Sequence, residues 1–291
     1  MRSPAIRIIA ACLSLLAVST IARSQSFSTF QLSGRADRLA MGDLSFLRPE
    51  LGMQRVEAEV NYGRWLPGVM ACSMLQAGAF ASTGDNFGIR VDYRHNFFPE
   101  FSGFDSDGNP YDPGKTSEQR ILAGVSFAVG EGLQFDLNGK YLMGVLAGEK
   151  GFAVAGDLAF RYSRGAWTFG IKGSDIGSKY SFGESAWSLP ARVEAGGSYG
   201  LVFAEKHGLT LGADAGYIFP QGYRAFTAAA GAEYSFNRMI FARAGYRYAT
   251  SVAPRFASFG LGLTLKGFSL DATLLLLPTG LSWTAGLRFS L

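Results

Sequence analysis

Apolar and polar side chains alternate along stretch after stretch of this chain, and no run past the first two dozen residues approaches the roughly 20 apolar residues of a membrane-crossing helix. From Phe226 onward, Phe226, Ala228, Ala230, Ala232, Tyr234 and Phe236 fall on one face, and Thr227, Ala229, Gly231, Glu233 and Ser235 on the other. A period of two is the signature of a strand. The split recurs in Phe152, Val154, Leu158, Phe160 and Tyr162 against Asp157, Arg161 and Ser163, and in Leu133, Phe135, Leu137 and Tyr141 against Gln134, Asp136, Asn138 and Lys140. Such lengths match the tilted strands of about 9 to 11 residues that cross a bilayer.

The chain is 48% hydrophobic and only 17% charged, against roughly 25% charged in soluble domains. That apolar content, laid out on strands, calls for a closed barrel, because an unpaired backbone edge in hydrocarbon costs several kcal/mol per group. Alternation places strands at 56–65, 70–81, 87–97, 119–129, 133–146, 152–164, 167–174, 191–203, 209–219, 225–236, 239–249, 256–266, 268–277 and 281–291. The expectation is therefore an all-β, transmembrane antiparallel barrel of about 14 strands, an even number as in bacterial single-chain barrels. Short connections such as Gly130-Glu131-Gly132, Gly165-Ala166, Asn237-Arg238 and Gly267 alternate with longer ones, the longest at 99–118 and 175–190. Periplasmic turns are short and outer loops long, so both chain ends fall on the periplasmic side. The last strand turns Leu281, Trp283, Ala285, Leu287, Phe289 and Leu291 to one face, an apolar terminal strand of the kind outer-membrane assembly reads. A soluble β-sandwich or lipocalin-like barrel also alternates, but strand length, loop parity and this terminal strand disfavour it.

Residues 1–24 follow the plan of a cleaved export signal: Arg2 and Arg7, an apolar stretch from Ile8 to Val18, then Ala22-Arg23-Ser24. The formal charge of +4 comes largely from that segment; removing its three arginines leaves 27 − 3 = 24 basic against 23 acidic side chains. A nucleic-acid partner is not implied. Cys12 leaves with the signal and Cys72 alone forms no internal disulfide, while His95 and His207 with no CxxC or HExxH pattern offer no soft-metal site. Asp105, Asp107 and Asn109 stand at alternate positions, but Pro110 and Thr116 occupy the glycine and acid places of a calcium loop. No cofactor is expected. His95 lies at a strand end with Ser102 and several Asp residues in the next loop, but proximity in sequence does not make a triad, so an enzyme is not expected either.

The inner face is expected to carry Arg90, Asp92, Arg94, Asp136, Lys140, Asp157, Arg161, Lys172, Arg192, Glu194, Asp214, Glu233, Arg243, Arg247, Asp271 and Arg288. With both signs interspersed, a lumen of paired charges is favoured over a single-sign selectivity ring. Residues 25–55 are too mixed for a spanning strand, and 56–291 form the barrel. Arg35, Leu39, Met41, Leu44 and Phe46 suit a segment inserted into the lumen as a plug. In the 99–118 loop Phe101, Phe104 and Tyr111 are candidate contacts for an external partner.

Several stretches resemble, in order, the PorV/PorQ-type barrels of the type IX secretion system, a branch of the FadL-like outer-membrane superfamily. Gly34-Arg35-Ala36 with Leu39-Ala40-Met41-Gly42 is similar to the family's N-terminal motif, and 57–67, EAEVNYGRWLP, to its first strand. Asp175-Ile176-Gly177-Ser178-Lys179-Tyr180, Leu189-Pro190-Ala191-Arg192-Val193 and Gly196-Gly197-Ser198-Tyr199 resemble a third block. Arg48-Pro49-Glu50 departs from the family's Asn-Pro-Ala. The resemblance implies a 14-stranded, non-enzymatic outer-membrane barrel whose partners are type IX subunits and cargo bearing a C-terminal signal domain. The alternative within the superfamily is FadL-like uptake of hydrophobic small molecules.

Overall fold

A computed structural model of the chain describes residues 32–47, 51, 55–65, 72–84, 86–99, 103–104, 110–111, 115–146, 149–182, 185–219, 224–250 and 253–291. The 1–24 signal and the 48–50 departure lie outside them. The strands are β1 (Arg55–Trp65), β2 (Cys72–Ser82), β3 (Phe87–Phe97), β4 (Gly103–Phe104), β5 (Pro110–Tyr111), β6 (Ser117–Ala128), β7 (Leu133–Leu146), β8 (Glu149–Arg164) and β9 (Trp167–Gly177). They continue as β10 (Lys179–Phe182), β11 (Ser185–Ser188), β12 (Arg192–Phe203), β13 (His207–Ile218), β14 (Ala225–Phe236), β15 (Ile240–Ala249), β16 (Phe256–Leu265), β17 (Phe268–Leu277) and β18 (Gly280–Ser290).

Each long strand pairs antiparallel with its neighbours, and β1 pairs with β18 from Glu57↔Ser290 to Arg64↔Trp283, which closes the ring. Fourteen strands make the barrel; β10 and β11 are a hairpin added to the end of β8. Closure pairs both edges of every described barrel strand, which is what a sheet placed in hydrocarbon requires. Outward positions are apolar, for example Ile89 and Val91 on β3, Leu261 on β16, Leu270, Leu274 and Leu276 on β17 and Leu287 on β18, all exposed. At one end the turns are tight: Asn237 and Arg238 both have φ +53°, and Lys266 and Gly267 have +47° and +85°. These primed turns match the twist of the strands they join.

The sequence places 175–190 in an outer loop, and the structure differs. β9 runs on to Gly177, with an irregular register in which Gly156 and Leu158 on β8 face Ile176 and Gly173 on β9. An extra residue on β9 turns both Ser174 and Asp175 inward, where they are buried, as a bulge does. Asp175 takes φ +57°, and its N–H donates to Asp157 Oδ1 at 3.0 Å. The rest of that loop is the β10–β11 hairpin. The long 99–118 connection likewise holds the two-residue β4–β5 pairing, and β6 begins at Ser117. His207 opens β13 rather than standing free in a turn: its Nδ1 lies 2.6 Å from the Tyr234 hydroxyl, and its ring packs beside Phe203 and Phe236.

Candidate functional site in the barrel lumen

Residues 32–47 cross the barrel interior and bond to inward side chains of seven strands. Asn61 on β1 accepts the Ala36 N–H at 3.1 Å, and Arg94 on β3 donates to the Leu32 carbonyl at 2.6 Å. Thr273 on β17 donates to the Ala36 carbonyl at 2.7 Å, and Arg288 on β18 reaches Asp37 at 3.1 Å. Ser258 on β16 donates to the Ala40 carbonyl and accepts the Gly42 N–H, Asp214 on β13 accepts the Ser45 N–H, and Ser198 on β12 donates to the Phe46 and Leu47 carbonyls. The segment contains one helical turn, α1 (Ala36–Leu39), and folds back so that the Ser33 N–H meets both Asp43 carboxylate oxygens at 3.1 Å.

The wall is shaped to receive it. Strand register aligns Ser198, Gly212, Gly231, Gly245 and Ser258 directly opposite one another across β12 to β16. The chain from Ala40 to Phe46 runs along this row. It turns at Gly42 and Asp43, both with positive φ, where the Asp43 N–H donates to the Arg38 carbonyl at 2.9 Å, and then continues to Phe46. A Cβ on Gly231 would sit 2.5 Å from the Met41 carbonyl oxygen, one on Gly245 would overlap Met41 and the Gly42 nitrogen, and one on Gly212 would lie 2.8 Å from Leu44. Gly42 itself has φ +77°, and a Cβ there would be 2.9 Å from the Tyr246 carbonyl oxygen. Leu39, Met41, Leu44 and Phe46 are all buried.

The lumen has two chemical characters. Towards the long-loop ends of the strands, Leu32 and Leu39 of the segment form one apolar cluster with Trp65, Cys72, Met74, Phe256 and Leu275, every one buried. Among the described residues the Trp65 Nε1–H has no hydrogen-bond partner. Elsewhere the interior combines smaller apolar clusters, such as Met41 and Leu44 against Ala229, with many ion pairs. Arg243 bridges Glu233 and Asp271, both at 2.6 Å, and Arg288 lies 3.8 Å from Asp271. Lys140 holds Asp157 and Asp175, both at 2.7 Å. Arg161 meets Asp136 at 3.5 Å; Glu194 meets Arg192 at 3.5 Å and Arg247 at 3.9 Å. Asp92 pairs with Arg120 at 2.7 Å and accepts from Gln76 at 2.6 Å, and Arg90 lies over the Phe80 ring.

Arg35 on the segment contacts Asp37 at 2.9 Å and, on β1, Glu59 at 3.4 Å and Glu57 at 3.9 Å. Burial disfavours the charged form of Asp37, yet the Arg35 and Arg288 guanidinium groups outweigh it and hold the carboxyl well below the usual carboxylate range. Phe101 lies outside the described residues, and only the backbones of Phe104 and Tyr111 are described.

Cavities adjoin the segment among the described residues, the larger at its tight-turn side. One of about 650 Å³ is lined by Arg35, Asp37, Met41, Glu57, Phe241 and Arg288 among others, and one of about 120 Å³ by Asp43, Glu59, Arg120, Lys140, Lys172 and Arg192 among others. Arg35, Arg38 and Arg90 line both. Glu57, Arg120 and Asp175 were not among the expected lumen residues. Strand parity would have placed the first two, but the inward turn of Asp175 depends on the bulge.

No family model matches the chain, and no curated protein matches it. Among solved structures it is similar to the toluene transporter TbuX of Ralstonia pickettii, with 13% identity and a TM-score of 0.60 over 90% of this chain and 98% of that one. It is similar to the CymD monoaromatic hydrocarbon channel, with 12% identity and a TM-score of 0.56 over 88% and 96%. The toluene transporter TodX of P. putida gives 12% identity and a TM-score of 0.54 over 87% and 95%. The chain thus shares the β-barrel fold of these transporters and this channel.

Proposed function

We propose that this protein is an outer-membrane barrel that admits small hydrophobic molecules, with residues 32–47 as the plug that controls passage. The observation that carries the reading is the buried apolar cluster of Leu32, Leu39, Trp65, Met74, Phe256 and Leu275, shared between segment and wall inside a lumen that is elsewhere rich in ion pairs. A water-filled pore for polar solutes has no use for such a cluster, whereas an apolar ligand gains about 25 cal/mol for each Å² it buries there. The fold shared with toluene transporters and a monoaromatic hydrocarbon channel supports the same substrate class. The test is uptake of radiolabelled toluene by cells whose outer membrane carries this barrel. Uptake at the level of cells with an empty vector would end the proposal.

A second reading, docking of type IX cargo or translocon subunits, rests on the ordered motif resemblance. One observation favours it: the Gly34–Gly42 motif lies against the wall, with Ala36 and Ala40 buried. Pull-down from outer membranes that recovers neither type IX subunits nor cargo with a C-terminal signal domain would remove it.

A further inference from the structure

The tight-turn end of the barrel carries a basic arc. Arg164, Lys206, Arg238 and Lys266 stand in or beside four turns that follow one another around the ring, those of β8–β9, β12–β13, β14–β15 and β16–β17, and all four are exposed. Backbone bonds join these turns. The Gly200 N–H donates to the Ala166 carbonyl at 2.9 Å, the Asn237 N–H to the Lys206 carbonyl at 2.6 Å, and the Thr264 N–H to the Met239 carbonyl at 2.7 Å. Lys206 and Arg238 are therefore on adjoining turns. Among the described residues no hydrogen bond or ion pair reaches any of the four side chains. Glu205 is the carboxylate within these turns, and Glu131 stands in the turn beyond Arg164. In the lumen, by contrast, Arg243 and Lys140 each hold two carboxylates. The charge of the arc is left for an anion from outside the chain. The outer wall beside Lys206 and Arg238 has the make-up of a membrane interface. Phe203, His207 and Phe236 stand opposite one another across β12, β13 and β14, with the Tyr234 hydroxyl 2.6 Å from His207 Nδ1. Aromatic rings with polar tips collect at headgroup level. Further from the turns, Ala232, Ala242 and Ala244 lie in register between Leu211 on one side and Phe259 and Leu261 on the other. These small side chains between large ones make a shallow trough on the lipid-facing wall.

We infer that this arc is a binding site for an anionic glycerophospholipid in the leaflet on the tight-turn side. The phosphate sits between Lys206 and Arg238, which donate charge-assisted hydrogen bonds to it, and one acyl chain follows the alanine trough. Free phosphate has no use for the trough, and an acidic protein segment has none either; a lipid takes charge and trough together. Arg238 also borders the larger cavity, so Lys206 is the cation that separates this outer site from the lumen. The inference rests on the barrel's standing in a membrane and not on what crosses its interior.

The experiment is native mass spectrometry of the detergent-solubilised barrel with dioleoyl phosphatidylglycerol, phosphatidylethanolamine of the same chains, inorganic phosphate and a polyglutamate peptide. Phosphatidylglycerol is expected to bind at least about tenfold tighter than phosphatidylethanolamine, and excess phosphate is expected to leave it in place. A cation near an anionic lipid surface is worth roughly fivefold in affinity, so Lys206→Gln with Arg238→Gln is expected to weaken phosphatidylglycerol by about 30-fold. Phosphatidylethanolamine binding is expected to stay the same. Lys206→Arg is expected to bind as the natural barrel does, and so is Lys150→Gln, which removes an exposed cation at the opposite end of β8. Where the double variant fails to fold, the single Lys206→Gln is expected to show the fivefold loss. Equal binding of the two lipids, displacement by phosphate, full retention in the Lys206→Gln barrel, or an equal loss in Lys150→Gln would each overturn the inference. Binding of polyglutamate without a preference between the lipids would overturn it as well and assign the arc to an acidic protein.

Discussion

Replacing Gly245 with Ala adds one methyl group to the inner wall where the segment crosses it. The added Cβ would overlap Gly42 N and the Met41 backbone, atoms that cannot rotate aside. The segment has to lift from the row. Lifting costs the Gly42 and Ala40 hydrogen bonds to Ser258, roughly 0.5–1.5 kcal/mol each. The remaining overlap adds about 1–3 kcal/mol of overpacking. A net weakening of docking by about 2–6 kcal/mol corresponds to roughly 30- to 26,000-fold more frequent opening, at 1.36 kcal/mol per decade. Hydrogen exchange of amides 36–46 reads that opening directly. The barrel strands, which pair through the backbone of Gly245 on both sides, are expected to keep their protection, and the outward substitution Ala244→Gly is the matched control. Unchanged exchange at 36–46 in Gly245→Ala would refute the fit of segment to wall.

Arg243→Met strands Glu233 and Asp271 without their shared cation; removing one member of a buried ion pair costs about 3–5 kcal/mol, so the heat-induced gel shift of the barrel is expected at lower temperature. Lys140→Met leaves Asp157 and Asp175 facing each other, and faster exchange is expected at 174–177 before any other part of β9. Asp37 ionises well below the ordinary carboxylate value in the docked state, so its contribution is present above about pH 3.9 and is lost as pH falls through the lower docked-state value. Exchange of α1 amides, corrected for intrinsic rate, is expected to stay level from pH 7 to about pH 4 and to rise only in stronger acid. Leu39→Ala removes part of the buried apolar cluster at a docking cost of about 2–5 kcal/mol, and toluene uptake is expected to rise.

Much of the barrel was legible in the sequence because period-two alternation is a local property. Val60 and Leu287 read as lipid-facing from their own neighbours, and in the structure they stand opposite each other where the ring closes. The serine and glycine row was not legible. Gly212, Gly231 and Gly245 each look like a weak point in a strand, and only the register across β12 to β16 turns them into a groove for Met41 and Gly42. Asp175 escaped for a related reason: a bulge shifts parity, and parity was the only guide to facing. The apolar cluster draws on Leu32, Trp65, Met74, Phe256 and Leu275 from the segment and four strands, so no window of sequence contains it.

The most direct test of the proposed plug is to tie the segment down. Ala36 Cβ lies 3.5 Å from the position of a Cβ on Gly286, at the short end of the range for a disulfide, about 3.5–4.5 Å. The barrel with Ala36→Cys, Gly286→Cys, Asn61→Ala to clear the crowded amide, and Cys72→Ser to remove the native thiol is compared oxidised and reduced for toluene uptake. Uptake is expected to fall to background when the pair is oxidised and to return on reduction. Equal uptake in the two states would contradict a plug that controls passage.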